Sequence, residues 1–432
     1  MPQAEPTQPH APSCRKPSDA RSWSDEERRR VQRRTLVVVI ASQVLGGAGL
    51  AAGVSVGALL AKEMLGTESL AGIPAALFTL GSAAAAFSIG RLTQSWGRRV
   101  GLGIGFTAGG VGAAGVVVAA ASDNAPLLFA ALFIYGAGTA TNLQARYAGT
   151  DLADPSRRGT AISVALTATT LGAVAGPNLI APMGQVAVAL GIPALAGPFL
   201  LAAVAYVAAG SVLIALLRPD PYLVARQIDA ASAREGDDTS VTAALRPTAG
   251  AYVGAVVMIV AQVAMAAIMT MTPVHMSGHH HGLSAVGLVI GLHIAAMYLP
   301  SLVTGVLVDR IGPHAMAVAA GITLLAAGLT AAFAPGDSLP LLVTALVLLG
   351  LGWNFGIISG TAFVVDSTVP GNRPRVQGSI DVLIAIAGAA GGGLSGVVMS
   401  ASGYAALSIA CGVFALVLLP ALLWDRKRTP AS

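Results

Sequence analysis

The sequence predicts an all-α membrane protein with twelve transmembrane helices in two six-helix halves. Three observations predict it. The 432 residues are 55% hydrophobic and only 10% charged, with a mean hydropathy of +0.74, far from the ~25% charged residues of a soluble chain. Twelve apolar runs are each long enough to cross a bilayer. Of the 25 lysines and arginines, all but Lys62 fall in the tails or in loops on one side. That asymmetry places both termini in the cytoplasm. It also explains the pI near 9.5, so the basic charge is an orientation signal and no nucleic-acid partner is expected. Two cysteines, Cys14 and Cys411, offer neither a disulfide framework nor a zinc pattern. Nothing resembles a nucleotide-binding loop or hydrolase motif, so no enzyme is expected.

Residues 1–34 form a cytoplasmic, mostly disordered tail, first rich in Pro and Ser and then basic, with disorder expected to about Asp25 and a short amphiphilic lead-in to the first span after it. The next apolar run is too long for a signal peptide. The N-terminal half, 35–217, holds runs at about 35–61, 68–90, 100–121, 126–148, 159–185 and 195–217. A cytoplasmic linker, 218–247, carries Arg218, Arg226, Arg234, Arg246 and the acidic stretch 235–238. The C-terminal half, 248–424, holds runs at about 248–273, 284–308, 314–333, 339–365, 376–400 and 403–424, before a short cytoplasmic tail at 425–432. Glycines recur every fourth residue at 49, 53 and 57, at 101, 105 and 109, and at 388, 392 and 396. Such small-residue faces let membrane helices approach closely.

An internal repeat supports two halves. Gly90, Leu92 and Gly97 follow the pattern GxLxxxxG, and Gly305, Leu307 and Gly312 repeat it 215 residues later in the equivalent loop. Parallel six-span repeats are a transporter architecture. The loop motif, the twelve runs and the central linker together resemble the major facilitator superfamily over residues 35–424. That resemblance implies a secondary carrier working by alternating access. It implies a gating loop at Gly90, Arg91, Gly97, Arg98 and Arg99, with Asp309 and Arg310 in the second copy. The family pattern has Asp at the fifth position, where the first copy has Gln94. The arginines can bond helix C-terminal carbonyls. Residues 172–177, GAVAGP, resemble part of a motif of proton-coupled antiporters, without its final glycine pair.

A second pattern concerns cargo. Met258, Gln262, Met265 and Met269 lie four, three and four residues apart, on one helical stripe. His293 and Met297 are four apart. Folded as a hairpin about His281, Met269 meets the level of His293, and Met265 that of Met297. At roughly 1.5 Å per residue the upper pair lies about 18 Å below the apex, inside the bilayer. Three thioethers and an imidazole suit a soft ion such as Cu(I), although methionine also fills irregular gaps in helix packing. MetxxxMet followed by HisxxxMet in the next span resembles the CcoA-like bacterial copper importers of the same superfamily. The resemblance implies copper, carried as substrate and not held as a cofactor, on Met265, Met269, His293 and Met297.

Riboflavin uptake is the alternative within that lineage, and proton-coupled export of drugs or other small molecules is a further one. His275, Met276, His279, His280 and His281 are expected to collect a metal ion at the outer turn, and Met271 to pack. Gln43, Asn142, Gln144, Trp353 and Asn354 are further polar or amphipathic groups within spans. Asp381 is expected to carry a proton or to pair with Arg373 or Arg375. The expected setting is the bacterial cytoplasmic (inner) membrane, as a multi-pass monomer whose partners are the lipid bilayer and the transported ion or small molecule.

Overall fold

A computed structural model describes residues 23–65, 73–235 and 248–428; the first 22 residues, with Cys14, and the acidic run beyond Glu235 lie outside the described residues. The described chain is helical throughout. In order come α1 (Asp25–Leu65), α2 (Ile73–Trp96), α3 (Arg98–Ala121), α4 (Ala125–Ala148), α5 (Arg158–Ala189), α6 (Gly197–Leu216) and α7 (Pro221–Glu235). Then follow α8 (Ala249–Gly278), α9 (Leu283–Tyr298), α10 (Ser301–Phe333), α11 (Leu339–Asp366), α12 (Arg373–Phe414) and α13 (Leu418–Arg428). Among the described residues eight helical stretches are long and apolar enough to cross a membrane, by length and composition.

Several boundaries differ from the expected ones for identifiable reasons. α1 begins ten residues before its apolar run. The Ser24 hydroxyl accepts from the Glu27 amide at 3.2 Å, while the Ser24 amide donates to Glu27 Oε2 at 3.0 Å. This reciprocal cap starts the helix in the polar tail. α4 starts where Asn124 accepts from the Leu127 amide at 3.0 Å. α8 runs through Pro273 to Gly278. The run expected at 284–308 is interrupted at Leu299–Pro300, so α9 ends at Tyr298. The linker is not all coil, since α7 occupies Pro221–Glu235.

The repeat seen in sequence returns as backbone geometry. Gly97 has φ 92° and ψ 171°, and Gly312 has φ 85° and ψ 159°. Both sit where one helix stops and the next starts in a new direction. A side chain is strained at such angles, so only glycine turns this corner freely. The same break occurs at Gly403, φ 84°, inside α12.

Two hydrophobic cores form. One is built from residues between Val38 and Leu217, and the other from Val253 to Leu422 together with Ile162 and Leu166 of α5. The α1–α6 and α8–α12 groups meet where α2 lies along α12 and α5 along α10. A small satellite core of Val31, Leu152, Val224 and Ala225 ties the start of α1 to α7.

Candidate functional site: the seam between the helix groups

The loop residues singled out in the sequence lie at the end of the helices that carries Arg91, Arg98 and Arg99, and several reach across the seam. Gly90 opposes Gly378, where an added Cβ would stand 2.9 Å from the facing Cα. Asp309 accepts from the Gly159 amide at 2.7 Å, the Thr160 amide at 2.9 Å and the Thr160 hydroxyl at 2.6 Å. A carboxylate thus caps the start of α5, where the helix dipole favours negative charge. In the first repeat copy Gln94 instead donates its amide to the Gly371 carbonyl, ahead of α12. An acceptor has been exchanged for a donor, so the two copies hold the opposite group through bonds of opposite polarity.

Arg98 is buried and binds Asp151 through two bonds, 2.8 and 3.2 Å, and Gln377 at 2.6 Å. Arg373 lies 3.9 Å from the same carboxylate and donates to the Thr368 carbonyl at 3.0 Å. Arg99 donates to the Ile214 carbonyl at 2.6 Å, the helix-end contact expected of it. Arg91 instead lies over the Phe87 ring at 4.1 Å, and Arg310 is exposed. Arg158 and Asp366 form a further ion pair across the seam at 2.5 Å.

Deeper in the seam the structure corrects one expectation. Asp381 pairs with neither Arg373 nor Arg375. It receives Arg146 Nη2 at 2.8 Å, with both side chains almost wholly buried. Arg146, which looked like an orientation signal, also donates to Thr361 at 3.0 Å and to the Tyr147 hydroxyl at 2.8 Å. The sulfur of Met258 lies 3.8 Å from Arg146 and 3.6 Å from the Thr361 hydroxyl. The charges come from α4 and α12, 235 residues apart. Spacing along the chain carries no signal for such a pair. The only sequence clue was the presence of both charges near the ends of apolar runs.

The expected cargo residues are placed as follows. Met265, Met297, Met258 and Met276 belong to one buried core, and Met269 and Met271 pack partly buried against it. His293 is fully buried, but α9 packs chiefly on α11 and only lightly on α8. The simple α8–α9 hairpin is therefore replaced by packing through α11. His293 Nδ1 lies 2.7 Å from the Leu346 carbonyl. A carbonyl can only accept, so Nδ1 carries the proton and Nε2 the lone pair. Among the described residues that buried Nε2 has no hydrogen-bond partner. In the same group Trp353 donates to Gln262 at 2.9 Å, and Tyr298 stands edge-on to the Trp353 ring at 5.6 Å. Asn354 holds Ser301 and the Met297 carbonyl at 2.8 and 2.7 Å.

The His275 and His279 rings stand 4.4 Å apart, and His279 and His281 both lie against Gly336. His281 Nε2 bonds the Gly336 carbonyl at 2.9 Å, and His275 stacks on Tyr404 at 4.2 Å. His279 bonds the His275 carbonyl at 2.9 Å, His280 is exposed, and Met276 is fully buried. Among the described residues no group of three or more His, Cys, Asp or Glu side chains could hold a metal ion. The side chains of residues 174–178, within the antiporter-like motif, lie outside the described residues.

The profile of the Major Facilitator Superfamily matches residues 38–297 and 254–432. The uncharacterized MFS-type transporter YdeG of Bacillus subtilis (strain 168) is 59% identical over 407 residues, 94% of this chain and 95% of that protein. The riboflavin transporter RfnT of Brucella anthropi is 30% identical over 410 residues, 93% of this chain and 98% of that protein. The crystal structure of the human organic anion transporter MFSD10 (TETRAN) superposes with a TM-score of 0.73 at 17% identity, covering 90% of this chain and 99% of that one.

Proposed function

The chain belongs to the Major Facilitator Superfamily, and from that premise we propose that it takes up a flavin-class molecule across the bacterial cytoplasmic membrane. It is a multi-pass secondary active transporter that works by alternating access, not an enzyme. The observation that carries the cargo assignment is the likeness to riboflavin transporter RfnT over nearly the whole of both chains. The Tyr298–Trp353–Gln262 arrangement supports it, because a flat heterocycle is held by aromatic faces beside amide groups.

Our proposal includes twelve spans in two halves, 35–217 and 248–424. Gly312 and Gly403 would each separate two spans, and α7 would lie in the linker. Rocking of the halves about the cargo would expose it to each side in turn. The contacts among Gly90, Gly378, Asp309, Arg98 and Arg146 would hold the inner side shut.

A second reading is copper uptake, favoured by one observation. Among the described residues the buried Nε2 lone pair of His293 has no hydrogen-bond partner, its Nδ1 is fixed by a carbonyl in the manner of metal-ligating histidines, and Met265 and Met297 are buried in the core of the same helix group.

One experiment addresses both readings. A riboflavin-auxotrophic bacterial strain expressing this chain is given radiolabelled riboflavin or radiocopper, with Trp353→Ala, His293→Ala and Met265→Ala alongside. We expect riboflavin accumulation above empty vector, and a loss of about tenfold in Trp353→Ala at equal protein level, the equivalent of one aromatic contact of ~1.4 kcal/mol. Riboflavin accumulation no higher than vector would remove the flavin assignment. Copper accumulation lost in both His293→Ala and Met265→Ala would establish the second reading in its place.

A further inference from the structure

We infer that the chain carries an anionic phospholipid site at the cytoplasmic membrane surface, between the start of α1 and the start of α5. A cavity of about 560 Å³ opens there. Arg28, Arg29, Arg33 and Arg157 line it, against the carboxylates of Asp25 and Asp154. Four positive groups against two negative ones leave a surplus of two positive charges. Arg28 is oriented by the Leu152 and Ala153 carbonyls at 3.3 and 3.4 Å. Among the described residues Arg29, Arg33 and Arg157 have no ion-pair partner. The reciprocal cap at Ser24 and Glu27 keeps this stretch helical, which puts Arg28, Gln32 and Leu36 on one face at intervals of four.

The rest of the wall is what favours a lipid over a free anion. Leu36, Ala161 and Val164 line the same cavity. On α1 they lead to the apolar surface of Val37 and Ile40, which are 65% and 36% exposed. The α1 arginines lie within about two turns of the start of the apolar run, which would set them near lipid headgroups. Cationic donors above an apolar wall fit a phosphate monoanion borne on acyl chains, as in basic pockets between helices on the cytoplasmic side. Gln32 and Ser156 also line the cavity, donating to the Gly149 carbonyl at 2.6 Å and to Asp154 at 3.2 Å. Arg157 and Thr160 of the wall adjoin the start of α5, which Asp309 caps from the other helix group. A headgroup bound here therefore braces α1 against the element that closes the inner side. The inference is independent of cargo, since none of these residues belongs to the proposed flavin or copper groups.

The test uses the full chain in a neutral detergent and reads the thermal midpoint on adding phosphatidylglycerol, phosphatidylcholine or inorganic phosphate. Phosphatidylglycerol is expected to raise the midpoint by a few degrees and the other two to leave it in place. The triple variant Arg29→Gln/Arg33→Gln/Arg157→Gln should lose most of that rise, and its lysine counterpart should retain part of it. Arg34→Gln/Arg310→Gln removes exposed charge outside the cavity and should keep the full response. The inference is overturned if phosphatidylglycerol gives no rise, if inorganic phosphate matches it, or if both glutamine variants lose it equally. Should the glutamine triple variant fail to fold, the lysine variant decides: a rise smaller than that of Arg34→Gln/Arg310→Gln supports the site, and a rise equal to it removes the site.

Discussion

Arg146 and Asp381 illustrate how much a single residue's role depends on what faces it. Each is a charge taken out of water, and each is tolerated because the other stands 2.8 Å away. Taking away one partner leaves an uncompensated buried ion, a loss of about 3–5 kcal/mol. Arg146→Met and Asp381→Leu are therefore expected to lower the thermal midpoint sharply when made singly. The double variant should recover most of the loss, because the remaining apolar pair needs no counter-charge. Additive losses in the double variant would mean the two charges do not act as a pair. His293 follows the same logic. Its position in an apolar run was legible, but the carbonyl that selects its tautomer belongs to Leu346, 53 residues away, and nothing in the local sequence names it.

Among the elements, glycine decides how close two helices come. The Gly90–Gly378 contact leaves no room for a methyl group: a Cβ on Gly378 would lie 2.9 Å from the Ala86 carbonyl oxygen and from the Gly90 Cα. Gly378→Val is expected to force α2 and α12 apart at the arginine-bearing end, at a cost of about 1–3 kcal/mol. A coupling of that size shifts a two-state population by roughly 5–150-fold. Spin labels on Trp96→Cys and Arg375→Cys, both exposed at that end, should show the longer-distance population grow. An unchanged distance distribution would show that this contact does not control closure. The corners at Gly97 and Gly312 were legible as a repeated motif because a positive φ restricts the residue type. The start of α1 was legible only as an amphiphilic lead-in after about Asp25, because a polar helix has no apolar run to mark it and depends on the Ser24–Glu27 cap and on packing against α7. The break at Leu299–Pro300 was missed because the apolar run continues through it.

For the molecule as a whole, charge along the chain sets the orientation expected in a bilayer. If the arginine-bearing end faces the cytoplasm, a reporter fused after Ser432 should be active only as a cytoplasmic enzyme. One inserted at His280 should be active only when exported. The opposite pattern would invert the proposed inner gate along with the topology. Hydropathy, the spacing of arginines and the GxLxxxxG repeat determined by themselves an all-helical membrane chain with a motif-bearing loop in each half of the sequence. These are properties of the covalent chain: apolar length, charge position and the φ that glycine alone tolerates are all local. Tertiary structure decided the partners. Arg146 met Asp381, Asp309 met the start of α5, His293 turned to α11 and His281 met Gly336, because each contact joins segments whose relative placement is set by the packing of whole helices rather than by spacing along one of them.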